Sequence, residues 1–339
     1  MSFQDVKGQD NAIGFLKNSI AGNKISHAYI FAGPSGIGKK LAAVNFAKAL
    51  NCLGPADGGP CDASTGSASH PELVDGCDAC AQCKKIEAFN HPDVLIFSPA
   101  KEESSLGIEK VRALTKDIGL KPYEGRKKVY ILDNADSMTH EAQNALLKTL
   151  EEPPSDSVMI LIAENANTLF PTIQSRAKKV KFFPLAAEEV KKILMEKYKL
   201  DKDNAEVLSR ISSGELGKAI KYNAEGFFEK RKRIIDALRG GALLDSDLDG
   251  FSKPDLRLAL DVMLTWYRDI LIAKAGVDNR SVLVNADKAD IIYGEAKLAS
   301  FEWLNNIINQ VILTGSFLDQ NINPKLAMGV LGMNLTKGL

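Results

Sequence analysis

Along the first 183 residues, short apolar runs alternate with stretches in which apolar side chains recur every three or four positions. The runs fall at 27–31 (HAYIF), 93–97 (DVLIF), 129–132 (VYIL), 158–163 (VMILIA) and 179–183 (KVKFF). Four of them are nearly continuous, the pattern of strands buried on both faces of a parallel sheet. The helical periodicities lie between them, at 40–50, 108–118 and 141–150. Strands alternating with helices predict an α/β domain built from right-handed crossovers.

After Pro184 the strand signals stop. Short helices are expected at 188–198, 205–212 and 215–223, the last two separated by Ser213-Gly214. Longer amphipathic segments follow at 255–275, 287–299 and 301–317, and Asn323-Pro324 opens a last apolar helix with proline in its first turn. The expected organisation is an α/β P-loop domain over 1–183, a small helical lid over 184–226 and an all-α domain over 227–339. No internal repeat is visible. Residues 54–76, rich in Gly, Ser, Asp and Pro, read as a loop.

The stretch GPSGIGKK, from Gly33 to Lys40, follows the first strand and opens a helix. Strand, glycine loop and helix are the context of a phosphate loop. Gly33, Ser35, Gly36 and Gly38 let backbone N–H groups converge on phosphate oxygens at a helix N-terminus, and Lys39 is placed to reach the β- and γ-phosphates. At the next position the pattern requires a hydroxyl to ligate Mg²⁺. Lys40 stands there instead, and an ammonium cannot ligate a cation. Turned inward, its charge would oppose Mg²⁺ by several kcal/mol, so Lys40 is expected to point to solvent. Asp133, at the end of an apolar strand, could hold Mg²⁺ through water. Its neighbour is Asn134, where hydrolytic sites of this type place an acid to orient the attacking water. The loop therefore reads either as an ATP/Mg²⁺ site with little turnover of its own or as a tight turn without ligand.

Cys77, Cys80 and Cys83 form two C-x-x-C steps that share their central residue, and Cys52 lies at the end of the P-loop helix. Four thiolates in tetrahedral array make a closed structural Zn²⁺ site, with an iron–sulfur centre as the alternative. Cys61, His70 or His91 could replace Cys52 as the fourth ligand. Crowding of all five cysteines into one segment speaks for metal rather than disulfides.

Arg176, in Ser175-Arg176-Ala177, reads alone either as a surface residue or as an arginine offered to a neighbouring molecule's γ-phosphate. Lys218 is the one cation of Gly214-Glu-Leu-Gly-Lys-Ala219 and could approach a bound nucleotide. Lys and Arg total 43, as do Asp and Glu. A neutral chain does not coat nucleic acid by bulk charge, although a local patch such as Lys178, Lys179 and Lys181 remains open. Apolar runs of about 18 residues and a leader pattern are both missing, which predicts a cytoplasmic protein without membrane attachment.

Together these residues resemble the clamp-loader ATPases of the AAA+ class over almost the whole chain. The markers are Phe3-Gln-Asp-Val-Lys-Gly-Gln9, His27-Ala-Tyr29, the cysteine module, His91-Pro-Asp93, Ser175-Arg176 and Asn323-Pro-Lys-Leu-Ala327. The most specific is Asn144-Ala-Leu-Leu-Lys-Thr-Leu-Glu-Glu-Pro-Pro154. The resemblance implies a subunit of the bacterial DNA polymerase III clamp loader. Its partners would be gamma/tau and delta type subunits in a hetero-pentameric ring joined through the C-terminal helices, loading a sliding clamp on primed DNA. Motor subunits of the family hydrolyse ATP at interfaces, with an arginine from the next subunit's Ser-Arg-Cys motif and a further arginine from the lid. Here Arg176 is kept, the cysteine is Ala177 and the lid position is Gly217. This is the pattern of a stator that completes a neighbour's site in trans. A gamma/tau-like motor and a zinc-stabilised DNA-binding scaffold are the competing readings.

Overall fold

The computed structural model describes residues 2–54, 75–99, 105–240, 251–320 and 322–335. The chain divides into two compact units, Met1–Leu185 and Ala186–Leu339. The first runs α1 (Asp10–Ala21), β1 (Ala28–Ala32), α2 (Lys39–Asn51), α3 (Ala81–Glu87) and β2 (Val94–Phe97). It continues α4 (Ile108–Asp117), β3 (Lys128–Leu132), α5 (His140–Glu151), β4 (Ser157–Ala163), α6 (Pro171–Arg176) and β5 (Lys178–Lys181).

The strands form one parallel sheet in the order β2-β3-β4-β1-β5. Strand alternation divides the apolar side chains cleanly between its faces. Tyr29, Phe31, Val129, Ile131, Val158, Ile160 and Ile162 pack with Leu16 of α1 and Val44 and Phe46 of α2. Ala28, Ile30, Tyr130, Leu132, Met159 and Leu161 pack on the other face with Leu114 of α4, Leu146 of α5 and Ile173 of α6. Central β3 and β4 are buried at every position, which is why they read as unbroken apolar runs. Edge strand β5 buries only Val180. The parallel sheet expected from the pattern is thus what the chain builds, with strand ends displaced by one or two residues.

Helix α1 was not foreseen from periodicity. Its buried residues are only Ala12, Ile13, Leu16 and Ser19, a narrow stripe in a segment that carries Gly14. By contrast α5 is marked at its start, where the Thr139 hydroxyl accepts the Ala142 N–H at 3.2 Å.

The second unit contains α7 (Ala187–Tyr198), α8 (Lys202–Ile211), α9 (Leu216–Ala224), α10 (Phe227–Arg239), α11 (Lys253–Lys274), α12 (Ala289–Leu298), α13 (Phe301–Asp319) and α14 (Pro324–Leu335). Strands are absent from it among the described residues. Its longest helix, α11, starts at a Ser252–Asp255 capping box and buries Trp266 and Tyr267. Among the described residues, no helix is long and apolar enough to cross a membrane.

One buried carboxylate fixes the approach to β3. Asp93, 2% exposed, accepts the backbone N–H groups of Tyr123 at 2.7 Å, Glu124 at 2.8 Å and Gly125 at 2.7 Å. Burial pushes its pKa up, but the three donors outweigh burial, and the carboxyl titrates below its ordinary range. A carboxylate with a depressed native pKa stabilises the fold above its unfolded value, and that contribution is lost as pH falls through the native one. Asp93→Asn is expected to lower stability by about 2–3 kcal/mol at neutral pH. In denaturant titrations the deficit should shrink once pH drops below about 3.9; a deficit independent of pH would show that the charge is not what matters.

Candidate functional site

The C-terminal ends of β1, β3 and β4 meet at one edge of the sheet, where ligands bind in open α/β folds. Backbone bonds extend the pairing past the strand ends: Gly33 N–H donates to Ala163 at 3.2 Å, Asp133 to Phe97 at 2.8 Å and Phe182 to Ala32 at 2.8 Å. Gly33 has φ 153°, and a Cβ there would sit 2.3 Å from the Phe182 carbonyl oxygen. Only glycine lets β1 turn at this point. Gly36 (φ 69°) and Gly38 (φ 97°) complete the turn into α2.

The loop encloses a cleft of about 340 Å³, lined by Ser35, Gly36, Gly38, Lys39, Lys40, Asp133 and Glu164 among others. Lys39 is only 6% exposed, and its ammonium donates to the carbonyls of Gly33 and Pro34. Lys40 departs from expectation. It does not point away from the cleft: its Nζ lies 2.9 Å from Asp133 Oδ2. The physical reason is local. Asp133 presents a carboxylate beside the first turn of α2, and an ion pair lets Lys40 satisfy it while 47% of its side chain stays exposed. Asn134, in the left-handed region at φ 54°, turns the chain into a short 3-10 helix over Ala135–Ser137. Asp136 caps the end of β4 instead, accepting the Glu164 N–H at 3.2 Å. The six residues expected at the phosphate loop and Asp133 are therefore gathered at one end of the sheet. Glu164 was missed, although a carboxylate directly after the β4 run is a recognisable signal.

The cysteine module leans on the same helix α2. The sulfurs of Cys52, Cys77, Cys80 and Cys83 all lie within 4.8 Å of one another, which makes Cys52 the fourth member. A tetrahedral ion with metal–sulfur bonds of about 2.3 Å needs sulfurs about 3.8 Å apart, so the cluster fits one. Backbone N–H groups point at the sulfurs, from Cys77 to Cys52 at 3.3 Å, Cys80 to Cys77 at 3.3 Å and Cys83 to Cys80 at 3.4 Å. A hydrogen bond from the Cys83 thiol holds Cys52 down to about 4, and the same bond, with burial, pushes Cys83 up. A cation bound among the four sulfurs would have to displace the thiol protons, because the thiolate is the form that ligates metal. His91 stands apart: its Nδ1 accepts the Asp93 N–H at 3.0 Å, and its Nε2 meets the Gln82 side-chain oxygen. Cys61 and His70 lie outside the described residues.

Lys48 joins the module to α2. Its side chain is 1% exposed, and its ammonium lies 2.8 Å from Asp78 and 2.6 Å from Glu87. Burial alone would lower its pKa, but the bonds to Asp78 and Glu87 raise it overall, so the charge is kept. Gly76 packs so close that a Cβ would meet Lys48 Cβ at 2.8 Å and Cys83 Sγ at 3.3 Å.

Arg176, the last residue of α6, donates from Nη1 to the Thr172 carbonyl and from Nη2 to Glu151, both at 3.0 Å. Its side chain is 35% exposed. In the second unit, Lys218 does not stand free for a ligand: it lies 2.6 Å from Asp261 and over the Tyr222 ring.

Fold and cleft together define an α/β domain with a P-loop-like turn, followed by a helical unit. A family profile described as DNA polymerase III, delta subunit matches residues 8–186, and one described as DNA polymerase III, delta subunit, C terminal matches 225–331. DNA polymerase III subunit delta' of Bacillus subtilis (strain 168) is 31% identical over 97% of this chain and 97% of its own. The subunit delta' of Pseudomonas aeruginosa is 29% identical over 82% of this chain and 84% of its own. DNA polymerase III subunit tau of Bacillus subtilis is 31% identical over 70% of this chain but 40% of its own length. The chain belongs to the DNA polymerase III delta-prime family.

The metal module gives two checks. Elemental analysis of the purified chain should find one metal ion per molecule in the native protein and none in Cys83→Ser; full occupancy in the variant would place the ion elsewhere. Lys48→Met should cost on the order of 2–3 kcal/mol, the penalty of breaking a buried pair reduced because both carboxylates are about a third exposed. A variant as stable as the native chain would show that the bridge holds nothing together.

Proposed function

We propose that this chain is the stator-like delta-prime subunit of a DNA polymerase III clamp loader, acting in the cytoplasm to help place a sliding clamp on primed DNA. It completes a neighbour's ATP site with Arg176 and turns over little or no ATP itself. The observation that carries this reading is the contrast between the two sites. At the chain's own cleft, the residue in place of the metal-binding hydroxyl is Lys40, paired with Asp133 at 2.9 Å. The position for an attacking-water acid is Asn134, and the lid arginine is Gly217. Arg176, by contrast, does not line that cleft, and its guanidinium donates to the Thr172 carbonyl and to Glu151 at the end of α6.

The remaining parts have roles in assembly. Helices α7 to α9 form the lid, and α10 to α14 the collar through which gamma/tau and delta type partners join. Leu326 (64% exposed) and Val330 (47%) lie one turn apart on α14, an apolar face suited to cover by a neighbouring subunit. Zn²⁺ is the ion that four thiolates select, and its role is to hold the module against α2.

The test is a loader reconstituted with Arg176→Ala. Assembly by size-exclusion chromatography should be unchanged, while turnover at the neighbouring site falls by about a thousandfold, as for loss of an arginine finger. Undiminished turnover in the assembled variant would remove Arg176 from the mechanism.

A further inference from the structure

The cleft at the head of the sheet contains a cation that belongs to the chain. Lys40 Nζ stands 2.9 Å from Asp133 Oδ2, the carboxylate at the end of β3. Mg²⁺ demands near-octahedral oxygen coordination. An ammonium offers three N–H donors and no lone pair. It occupies the carboxylate that a divalent ion would use and repels that ion by charge. Of the two carboxylates lining the cleft, Asp133 is thus taken and only Glu164 is left, so with the ammonium's charge opposing a divalent ion the residues do not fit Mg²⁺.

They do fit polyphosphate. The backbone of Gly36 and Gly38 leads into the N-terminus of α2, a thirteen-residue helix. Lys39, now spread over the carbonyls of Gly33 and Pro34, has only to turn from those oxygens to phosphate oxygens. Lys40 spends one donor on Asp133, and two remain to face a phosphate. The ammonium can thus bridge carboxylate and phosphate, which is the work a bridging metal does elsewhere. It also neutralises Asp133, which would otherwise repel an anion.

We propose that this cleft takes a nucleoside di- or triphosphate without a divalent ion, and that Lys40 is the residue that sets this metal-free mode. The proposal rests on the reading of the chain as a subunit without an ATPase of its own, and it supplies what that site does instead: it holds nucleotide as a fixed ligand. No bond is made or broken.

ADP is the probe, titrated calorimetrically into the full chain with Mg²⁺ and in buffer stripped of divalent ions over a chelating resin beforehand, so that no chelator reaches the cysteines. The native chain should bind ADP with the same affinity in both buffers, to within about twofold, whereas Lys40→Thr should bind about tenfold tighter with Mg²⁺ than without. Lys39→Ala, as the control for location, should lose binding in both. The proposal is overturned if native affinity rises with Mg²⁺ as much as that of Lys40→Thr, if Lys40→Thr is indifferent to Mg²⁺, if the native chain binds no ADP in either buffer, or if Lys39→Ala binds as the native chain does. None of these readouts involves Arg176 or a neighbour's turnover, so failure here and failure of the stator reading are separate events.

Discussion

The head of the sheet is organised by one close approach, the Phe182 carbonyl oxygen lying where a Cβ on residue 33 would have to be. Because residue 33 is glycine, the chain leaves β1 under the backbone that follows β5 and enters α2 through the loop that lines the cleft. The apolar layers on both faces of the sheet supply the rigidity behind this turn. They hold the ends of β1, β3 and β4 level, so that Lys39, Lys40, Asp133 and Glu164 meet although they are far apart in sequence. A larger residue at 33 would disturb the cleft, the β5 junction and the start of α2 together.

Helix α2 carries the phosphate loop at one end and the cysteine module at the other. Lys48, inside that helix, takes Asp78 and Glu87 as partners. Lys85 and Gln82 of α3 reach Glu124, at 2.7 Å to its carboxylate and 3.1 Å to its carbonyl. Asp93 holds the backbone of the same 123–125 segment. The module is thus tied by charge and hydrogen bonds to the entry of β3, the strand that ends at Asp133. Ile86 of α3 adds an apolar anchor to these polar contacts, buried in the core against the sheet.

The readable part of the chain was whatever is written in contiguous residues. Strands β3 and β4 announce themselves because both their faces are buried. The loop from Gly33 to Lys40 and the Cys77–Cys83 steps carry their geometry in their spacing. What could not be read were choices made across long sequence separations. Whether Lys40 turns outward or toward Asp133 depends on a strand over ninety positions away, and composition has no term for that. Lys218 likewise finds Asp261, Arg176 finds Glu151, and His91 is taken by Gln82 and the Asp93 amide rather than by metal. Helix α1 was hidden for a different reason, since a stripe of so few buried residues barely lifts above the polar background.

Strand β5 closes one edge of the sheet with Lys178, Lys179 and Lys181 all exposed. An edge strand normally offers unpaired backbone groups to any passing strand, and lysines placed along it make such pairing unfavourable. The three lysines therefore disfavour growth of the sheet through this side. Charge at the strand edge thus guards against the one kind of association that needs no matching shape, because backbone groups pair with any strand alike.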